Sequence, residues 1–249
     1  MARTLYNTVG TETTLSEFWH LARELNLIYA YNLACIQRTL ETAQIKFEPE
    51  TKILDIASGK RQYIVNHLWQ SASLRVGLDF YLDWLKANQD VDVRVCGDMY
   101  LLPFQNQAFD TIVSVDTIEH AEHPVQLLSE MNRVLRRSGK AVIFTPNLLG
   151  YKNIVAKFGR DIFLQAHKLI YGQKLHYDVF YRANTIHSIQ KLCASTGFRI
   201  QKIYYIGEIS HFLYRSRLLS TLAFLYDSIM IRYNAPWLLG YMMIVLEKP

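Results

Sequence analysis

The strongest constraint on the fold of this chain is a regular alternation of short apolar segments with amphipathic ones between residues 52 and 145. Short apolar runs bounded by turn residues predict buried strands, whereas apolar residues at three- and four-residue spacing predict helices. Strands are predicted at 52–58, 74–79, 91–96, 109–115, 141–145, 198–206 and 241–247. Because helical patterns separate most of them, we expect an α/β fold with a doubly wound, mostly parallel, seven-stranded sheet and right-handed crossovers.

The helical patterns divide the chain into two parts. Helices are predicted at 14–46, 61–70, 81–88, 124–137 and 183–196. Gly139 follows Arg136 and Arg137, a pattern typical of the residue just beyond a helix end. We therefore expect an N-terminal helical segment over 1–48 and a main domain over 49–249. Insertions at 147–180 and 207–238 would cap the sheet of that domain.

Composition excludes several classes of protein. Half of the 249 residues are hydrophobic and a fifth are charged, which is typical of a globular chain. The net charge of +5 is mild and no Lys/Arg stripe stands out, so nucleic acid is not an expected partner. Cys35, Cys96 and Cys193 have neither metal-site nor disulfide spacing, which favours buried, reduced thiols in a cytoplasmic protein. No signal peptide and no apolar stretch of membrane-spanning length is evident.

Acidic residues stand at the ends of the first two strands of the predicted sheet. Asp55 lies in the first strand, and Asp79 ends the second, one βαβ unit later. In parallel sheets ligands bind outside the carboxyl ends of the strands, and an acidic residue there can accept both hydroxyls of a ribose. The alternative is that these carboxylates cap the helices that follow.

The motifs after the next strands complete an ordered set. Gly97-Asp98-Met99 follows the third strand, Asp116-Thr117-Ile-Glu119-His120 the fourth, and Thr145-Pro-Asn the fifth. Over residues 51–147, with a weaker tail at 176–203, this set resembles the class I methyltransferases that use S-adenosylmethionine (SAM), in the subgroup with ubiquinone-pathway and glycan-modifying enzymes. The resemblance implies a Rossmann-like methyltransferase domain with SAM as its cofactor.

The resemblance also implies roles for single residues. Asp79 would hold the ribose hydroxyls, and Asp98 would accept from the adenine amino group, with Met99 near the ring. Phe80 would also contact the cofactor. The methionine portion would contact Asp55, Ala57, Ser58 and Gly59, and the reacting sulfonium would lie near Asp116 and Thr117. For Asp98 the alternative is a turn cap after Gly97.

The first loop departs from the family pattern. Where the family has three glycines in acidic-x-Gly-x-Gly-x-Gly, this chain has Ala57, Gly59 and Arg61. Glycine permits a positive φ and close approach of the backbone to a ligand, and a cationic Arg61 would face a cationic sulfonium. The alternative function is therefore a catalytically inactive methyltransferase-fold protein that serves in binding or assembly.

Three residues are candidates for catalysis. If the acceptor is an oxygen, a proton must be removed, and His120 or His176 could act as the base; for His176 the alternative is a solvated loop residue. Glu119 precedes His120, and relatives with Glu-x-x-Glu-His in this place bind a divalent metal. Because Asp116 replaces the first Glu here, we expect no metal, with Asp116, Glu119 and His120 orienting the substrate.

The 207–238 segment is aromatic and basic, with Arg215, Arg217 and Arg232 among its rings. It predicts helices over the mouth of the site, with Phe212, Leu219, Phe224 and Leu225 turned toward the sheet or the acceptor. Such a cap suits a small, lipid-linked or glycan-linked acceptor, methylated at oxygen, and peripheral contact with a membrane. The alternatives are a packed cap or a homodimer face, and the segment is too apolar to favour RNA.

Overall fold

The computed structural model describes residues 6–9, 36, 39–40, 47–60, 69, 71–151, 179–207 and 217–249. Its centre is a single eight-stranded sheet in the order β1-β7-β8-β6-β5-β2-β3-β4. The strands are β1 (Tyr6–Val9), β2 (Lys52–Ile56), β3 (Leu74–Asp79), β4 (Val93–Cys96), β5 (Phe109–Val115), β6 (Leu135–Pro146), β7 (Arg199–Ile206) and β8 (Tyr241–Glu247). All seven predicted strands are confirmed; six differ by at most two residues at an end, whereas β6 begins six residues before its predicted start.

The eighth strand, β1, was not predicted. It pairs in parallel with β7, from Tyr6 opposite Ile203 to Val9 opposite Ile206. Its four residues include Asn7 and Thr8, so it lacks the apolar run that identifies a buried strand. The N-terminal helical segment expected over 1–48 therefore also contains a strand, which has no local signal because its partner is nearly 200 positions away.

One strand runs against the others. β8 is antiparallel to both of its neighbours, β6 and β7, and every other pairing in the sheet is parallel. The parallel strands β4, β3, β2 and β5 are adjacent in that order. Their carboxyl ends therefore meet at one edge of the sheet, where ligands bind in folds of this kind.

Four α-helices lie in the described ranges: α1 (Leu82–Ala87), α2 (Pro124–Val134), α3 (Ile186–Thr196) and α4 (Arg217–Arg232). Single 3₁₀ turns occupy Ile118–His120 and Pro236–Leu238. The ends of α3 have clear signals, since Thr185 and Ser188 form a capping box and Gly197 adopts φ 77° beyond its last turn. Within the described ranges no helix is both long and apolar enough to cross a membrane.

The predicted end of α2 is wrong. The helix stops at Val134, and residues 135–146 are extended as β6. Ser138 takes the left-handed conformation at φ 58°. A Cβ on Gly139 would lie 2.8 Å from the Arg136 carbonyl oxygen and 2.9 Å from that of Asp110. Glycine is therefore needed here because two strands approach closely, not because a helix ends.

The core lies on both faces of the sheet. Leu54 of β2 packs in one cluster with Leu128 and Met131 of α2, whereas Ile53 belongs to the opposite cluster with Phe224 of α4. This alternation follows from the two-residue period of a strand. All five side chains are at most 5% exposed, so the sheet is buried on both sides and its strands are held rigidly.

Other expectations fall partly outside the described residues. Ile36, Thr39 and Leu40 are helical and buried, which agrees with the helix predicted at 14–46. In the 207–238 segment Phe224 is buried as expected, whereas Leu225 is 42% exposed and so is not packed against the sheet. Phe212 and the side chain of Leu219, most of 61–70 and 152–178, and Cys35 lie outside the described residues.

Candidate functional site

A cavity of about 540 Å³ opens at the carboxyl ends of β2, β3, β4 and β5. The sequence-predicted residues that line it are Ala57, Gly59, Asp79, Phe80, Asp98, Met99, Asp116, Thr117 and His120. Each belongs to, or directly follows, one of those four strands, except His120, which ends the 3₁₀ turn after β5. The sheet thus brings together residues that are up to 63 positions apart.

Asp79 connects the end of β3 to the loop after β2. Its Oδ2 accepts from the Gly59 backbone N–H at 2.9 Å, and its Oδ1 accepts from the Tyr81 N–H at 2.8 Å. Each carboxylate oxygen is thus held by one backbone N–H, and the residue is only 6% exposed. Each carboxylate oxygen has a second lone pair, so Asp79 can still accept from a ligand in the cavity.

Asp98 repeats the arrangement of Asp79 on the next strand. Its Oδ1 accepts from the Tyr100 N–H at 2.8 Å, two residues further on. Both carboxylates therefore form Asx turns in an Asp-x-Tyr sequence, and both tyrosines line the cavity. The cap that we weighed as an alternative for Asp98 is present, yet the residue is exposed and lines the cavity.

The loop after β2 keeps a glycine-like shape without the first family glycine. Ala57 and Gly59 both have φ 58°, the left-handed region that disfavours a side chain by about 1–2 kcal/mol. The structure thus places alanine in the conformation that glycine would adopt more readily. Arg61, which raised the question of activity, lies outside the described residues.

A buried asparagine supports this loop, and no sequence motif identifies it. The Nδ2 of Asn88 donates to the Ser58 hydroxyl at 2.9 Å and to the Ser58 and Gly59 carbonyls, both at 3.2 Å. A Cβ on Gly77 would lie 2.8 Å from the Ser58 hydroxyl oxygen, so β3 needs a residue without a side chain at this position. From the sequence, the position of Asn88 just after α1 predicts only that it ends the helix.

Asp55 and Ser58 differ from the expectation that they line the cavity. Both are 1% exposed and neither is among its lining residues. Ser58 faces Asn88, and Asp55 lies inside β2. Ser58 thus contributes to the shape of the loop through Asn88, and contact of Asp55 or Ser58 with the methionine portion stays a prediction.

Asp116 lies at the centre of the site, after the last residue of β5. It has φ 48°, and its Oδ1 accepts from the Tyr241 hydroxyl at 2.5 Å. Thr117 is buried and donates to the Val115 carbonyl at 2.9 Å. His120 is half-buried and lines the cavity on the same side, so a base candidate and a carboxylate border the same space.

Glu119 points away from the cavity. It is 4% exposed, and its Oε2 accepts from the Thr145 hydroxyl at 3.1 Å. The Asn184 amide donates to the same hydroxyl oxygen at 2.7 Å. The Glu119 carbonyl accepts from the Phe180 N–H at 2.8 Å, and Phe180 lines the cavity. Glu119 therefore supports Thr145 and Phe180 in this structure, and its role in orienting the substrate stays a prediction.

Two further expectations concern a metal and a second base. Among the described residues no group of three His, Cys, Asp or Glu side chains could hold a metal ion. His176 lies outside the described residues. Of the cysteines, Cys193 is buried, and burial raises the pKa of its thiol to about 11. Cys96 is exposed, which corrects the expectation that it is buried.

An ion pair holds the loop on the far side of the cavity. Glu130 of α2 accepts from the Leu102 N–H at 2.8 Å and from Arg133 at 2.7 Å, and Arg133 donates to the Leu102 and Phe104 carbonyls. The hydrogen bond from Arg133 holds the pKa of the Glu130 carboxyl below its usual value. This pair fixes the segment that follows Asp98 and Met99.

The chain was also compared with known proteins. Residues 54–143 match the family model of the methyltransferase domain. A demethylmenaquinone methyltransferase of Mycobacterium sp. (strain JLS) is 33% identical over 102 residues, which are 41% of this chain and 44% of that relative. The chain thus spans less than half the length of this curated relative.

Solved structures match over most of the chain. A SAM-dependent methyltransferase from Mesorhizobium loti has a TM-score of 0.57 at 13% identity, covering 86% of this chain and 98% of that one. The geranyl diphosphate C-methyltransferase from Streptomyces coelicolor A3(2) has a TM-score of 0.60 at 13% identity, covering 97% and 86%. At such identities the likeness establishes the fold, while the matched domain contains the strand ends that border the cavity. Residues 54–143 therefore match a methyltransferase domain, and the chain as a whole shares the fold of these SAM-dependent methyltransferases.

Proposed function

We propose that this chain binds SAM in the cavity at the ends of β2–β5 and transfers its methyl group to a hydrophobic or lipid-linked acceptor, at oxygen. The observation that carries the proposal is the pair of Asx-turn carboxylates, Asp79 and Asp98, at the ends of neighbouring strands and on the same cavity. They suit the ribose hydroxyls and the adenine amino group of one nucleoside.

The residues present fit this cofactor. A volume of about 540 Å³ is within the range of small-molecule sites. Among the described lining residues three carry carboxylates and none is Lys or Arg, which suits a cationic ligand. Phe80, which is 70% exposed, and Met99 offer apolar contact to an aromatic base, and the Ala57–Gly59 loop would border the methionine portion.

The chemistry divides between cofactor and chain. SAM supplies a methyl group on a positively charged sulfur, and in-line transfer depends mainly on alignment and exclusion of water. For an oxygen acceptor His120 would take the hydroxyl proton, since it lines the cavity beside Asp116 and Thr117. His176, predicted as a second base, stays a prediction. Glu119 would hold Phe180 at the edge of the cavity through its carbonyl.

Calorimetric titration with SAM and with S-adenosylhomocysteine tests the cofactor. Replacing Asp79 by Asn should weaken both ligands by about 10- to 100-fold, since hydrogen bonds to a charged group contribute about 1.5–3 kcal/mol. The control is Asp83→Asn on neighbouring α1, whose side chain is 91% exposed. Equal affinities in wild type and Asp79→Asn would refute the ribose site.

The same titration separates the enzyme from the inactive binding protein. Ala57 already adopts the φ of 58° that the family glycine would supply, which favours a functional loop. No binding of either ligand to the wild-type protein would favour the alternative, in which the first loop, including Arg61, no longer accepts the cofactor.

The exposed face of α4 supports the acceptor class and a peripheral membrane contact. Leu218, Leu222, Leu225 and Ile229 are 68, 52, 42 and 46% exposed and recur at steps of four, three and four residues. This surface, the α4 stripe, has no exposed acidic residue within the helix, because Asp227 is 1% exposed. Exposed Tyr233 and Trp237 follow it, as at a membrane interface.

A homodimer is the rival occupant of the α4 stripe. Four partly exposed side chains on one helix provide much less than the roughly 800 Å² per partner that a stable dimer buries. We therefore propose an anionic membrane surface, at which a cytoplasmic protein would meet a lipid-linked acceptor. The exposed Arg232 at the end of the helix suits the same surface.

Vesicle flotation distinguishes the two occupants. The protein should float with vesicles of phosphatidylcholine and phosphatidylglycerol but much less with phosphatidylcholine alone. A Leu222→Ser/Leu225→Ser variant should lose this binding, whereas Val125→Ser, at an exposed apolar position on α2, should keep it. If the protein does not float and the double variant turns a dimer into a monomer in light scattering, the stripe is a subunit interface.

A further inference from the structure

Tyr241 and Asp116 are 125 residues apart in the sequence and are joined by a short hydrogen bond. Tyr241 begins β8 and is 5% exposed, so its ring is buried in the sheet. Its hydroxyl donates to the Asp116 Oδ1 at 2.5 Å. Asp116 itself is exposed and borders the cavity. A buried donor therefore fixes the direction of an exposed carboxylate.

The backbone around Asp116 is held as well. The Asp116 N–H donates to the Phe144 carbonyl at 3.1 Å, and the Phe144 ring stacks on that of Tyr241 with centroids 6.4 Å apart. Phe144 is completely buried. Asp116 also has φ 48°, an unfavourable value for a residue with a side chain. Together β6 and β8 hold the carboxylate in one place despite the unfavourable backbone conformation of Asp116.

The strand order indicates which part of the bound cofactor Asp116 faces. This inference rests on the proposed function. β4, β3, β2 and β5 are adjacent, with about 4.8 Å between neighbouring strands. With the adenine at Asp98 after β4 and the ribose at Asp79 on β3, the rest of SAM extends across β2 toward β5. Its sulfonium then lies on the side of the cavity that Asp116 borders.

We propose that Tyr241 positions the Asp116 carboxylate as the counter-charge of the sulfonium, so that the site discriminates between cofactor and product by charge. SAM carries a positive sulfur, and S-adenosylhomocysteine, left after transfer, has a neutral thioether. A fixed negative charge near the sulfur stabilises the first and not the second. Methyl transfer thereby removes part of the attraction that holds the nucleoside, which favours release of the product.

The test compares the two ligands rather than turnover. Titration calorimetry on the full chain gives the ratio of the dissociation constants of S-adenosylhomocysteine and SAM. Asp116→Asn should lower this ratio about fivefold by weakening SAM alone, because one charge–charge interaction is lost in a partly solvated site. Tyr241→Phe should lower it about two- to threefold, since the carboxylate stays but is no longer held.

Tyr204→Phe is the matched control. It removes a hydroxyl from another buried tyrosine, on β7, whose residue is 4% exposed and does not line the cavity. The ratio of dissociation constants for this variant should equal that of wild type. Added salt should lower the ratio of the wild-type protein but not that of Asp116→Asn, which lacks the charge that salt screens. Melting temperatures show whether each variant is folded.

Two outcomes overturn the inference, and they are distinguishable. If wild type binds both ligands and Asp116→Asn leaves the ratio unchanged, the counter-charge is wrong while the cofactor site stands. If wild type binds neither ligand, the proposed function fails and this inference fails with it. If Tyr241→Phe gives the same ratio of dissociation constants as Tyr204→Phe while Asp116→Asn lowers it, the positioning role of Tyr241 is wrong.

Discussion

The buried amide of Asn88 donates to the Ser58 hydroxyl at 2.9 Å and thereby ties the end of α1 to the loop after β2. The same nitrogen reaches two carbonyls of that loop, and Arg94 donates to the Asn88 carbonyl from the other side. The shape of the loop thus depends on a residue outside it, 30 positions away along the chain.

Replacing Asn88 by Ala should destabilise the protein by about 1–3 kcal/mol, because buried acceptors in the loop lose their donor. SAM should also bind more weakly, since Gly59 would no longer be held against Asp79. Urea unfolding and calorimetry measure the two effects. Gln89→Ala, at the exposed next position, should change neither, and equal stability of the two variants would contradict the role of Asn88.

Gly139→Ala should lower the free energy of unfolding more than Gly197→Ala does. At Gly139 a Cβ would lie within 2.8–2.9 Å of two backbone oxygens, so a strand must shift at a cost of about 2–3 kcal/mol. At Gly197 the nearest atom is 3.9 Å away and only φ 77° is unfavourable, which costs about 1 kcal/mol. Chemical unfolding of both variants measures the difference; a smaller loss at Gly139 would restore the interpretation of a helix end.

Chelation should leave the protein unchanged. Asp116 bonds to Tyr241 and Glu119 to Thr145, so two of the three candidate ligands are already directed elsewhere. We expect the same melting temperature and SAM affinity with EDTA, Mg²⁺ or Mn²⁺. A rise of several degrees with Mg²⁺ that Asp116→Asn abolishes would show that these residues bind a metal.

The stability contributed by the Glu130–Arg133 pair should depend on pH in a defined direction. Because Arg133 lowers the pKa of Glu130 in the folded protein, the unfolded state binds the proton more readily, and the contribution is fully present above the usual glutamate pKa of about 4.3. It should disappear as the pH falls through the lower folded value. The difference in unfolding free energy between wild type and Glu130→Gln, measured from pH 7 to pH 3, should shrink only at the acid end.

Glu122→Gln serves as the control for this series, because Glu122 is exposed and has no ion pair within the part of the chain that the structure describes. Its difference from wild type should stay small at every pH. A Glu130→Gln difference that grew as the pH fell would have the wrong sign and would contradict the assignment.

Sequence reasoning succeeded where local pattern and strand order suffice. The apolar runs of β2 and β5 are unambiguous, and parallel strands necessarily bring Asp79 and Asp98 to one edge. The Asp-x-Tyr pattern, repeated after β3 and β4, could also have predicted the two Asx turns, since the side chain accepts from the backbone two residues on.

The misses have physical causes of another kind. Tyr241 reaches Asp116 only because β8 inserts between β6 and β7 and its register puts Tyr241 opposite Pro146. Asn88 and the Glu119–Thr145 contact likewise depend on packing between distant segments. At Gly139 two local signals competed, and the extended pairing of β6 with β5 prevailed over the helix-end pattern.

The position of β8 has a consequence for how the chain is made. Every other strand of the sheet leaves the ribosome earlier, yet β8 is the strand that separates β6 from β7. Until it emerges, the nascent chain presents the unpaired edges of both neighbours, which are liable to associate with other chains. Tyr241 arrives with the same strand, so the carboxylate at residue 116 acquires its partner only at the step that closes these edges.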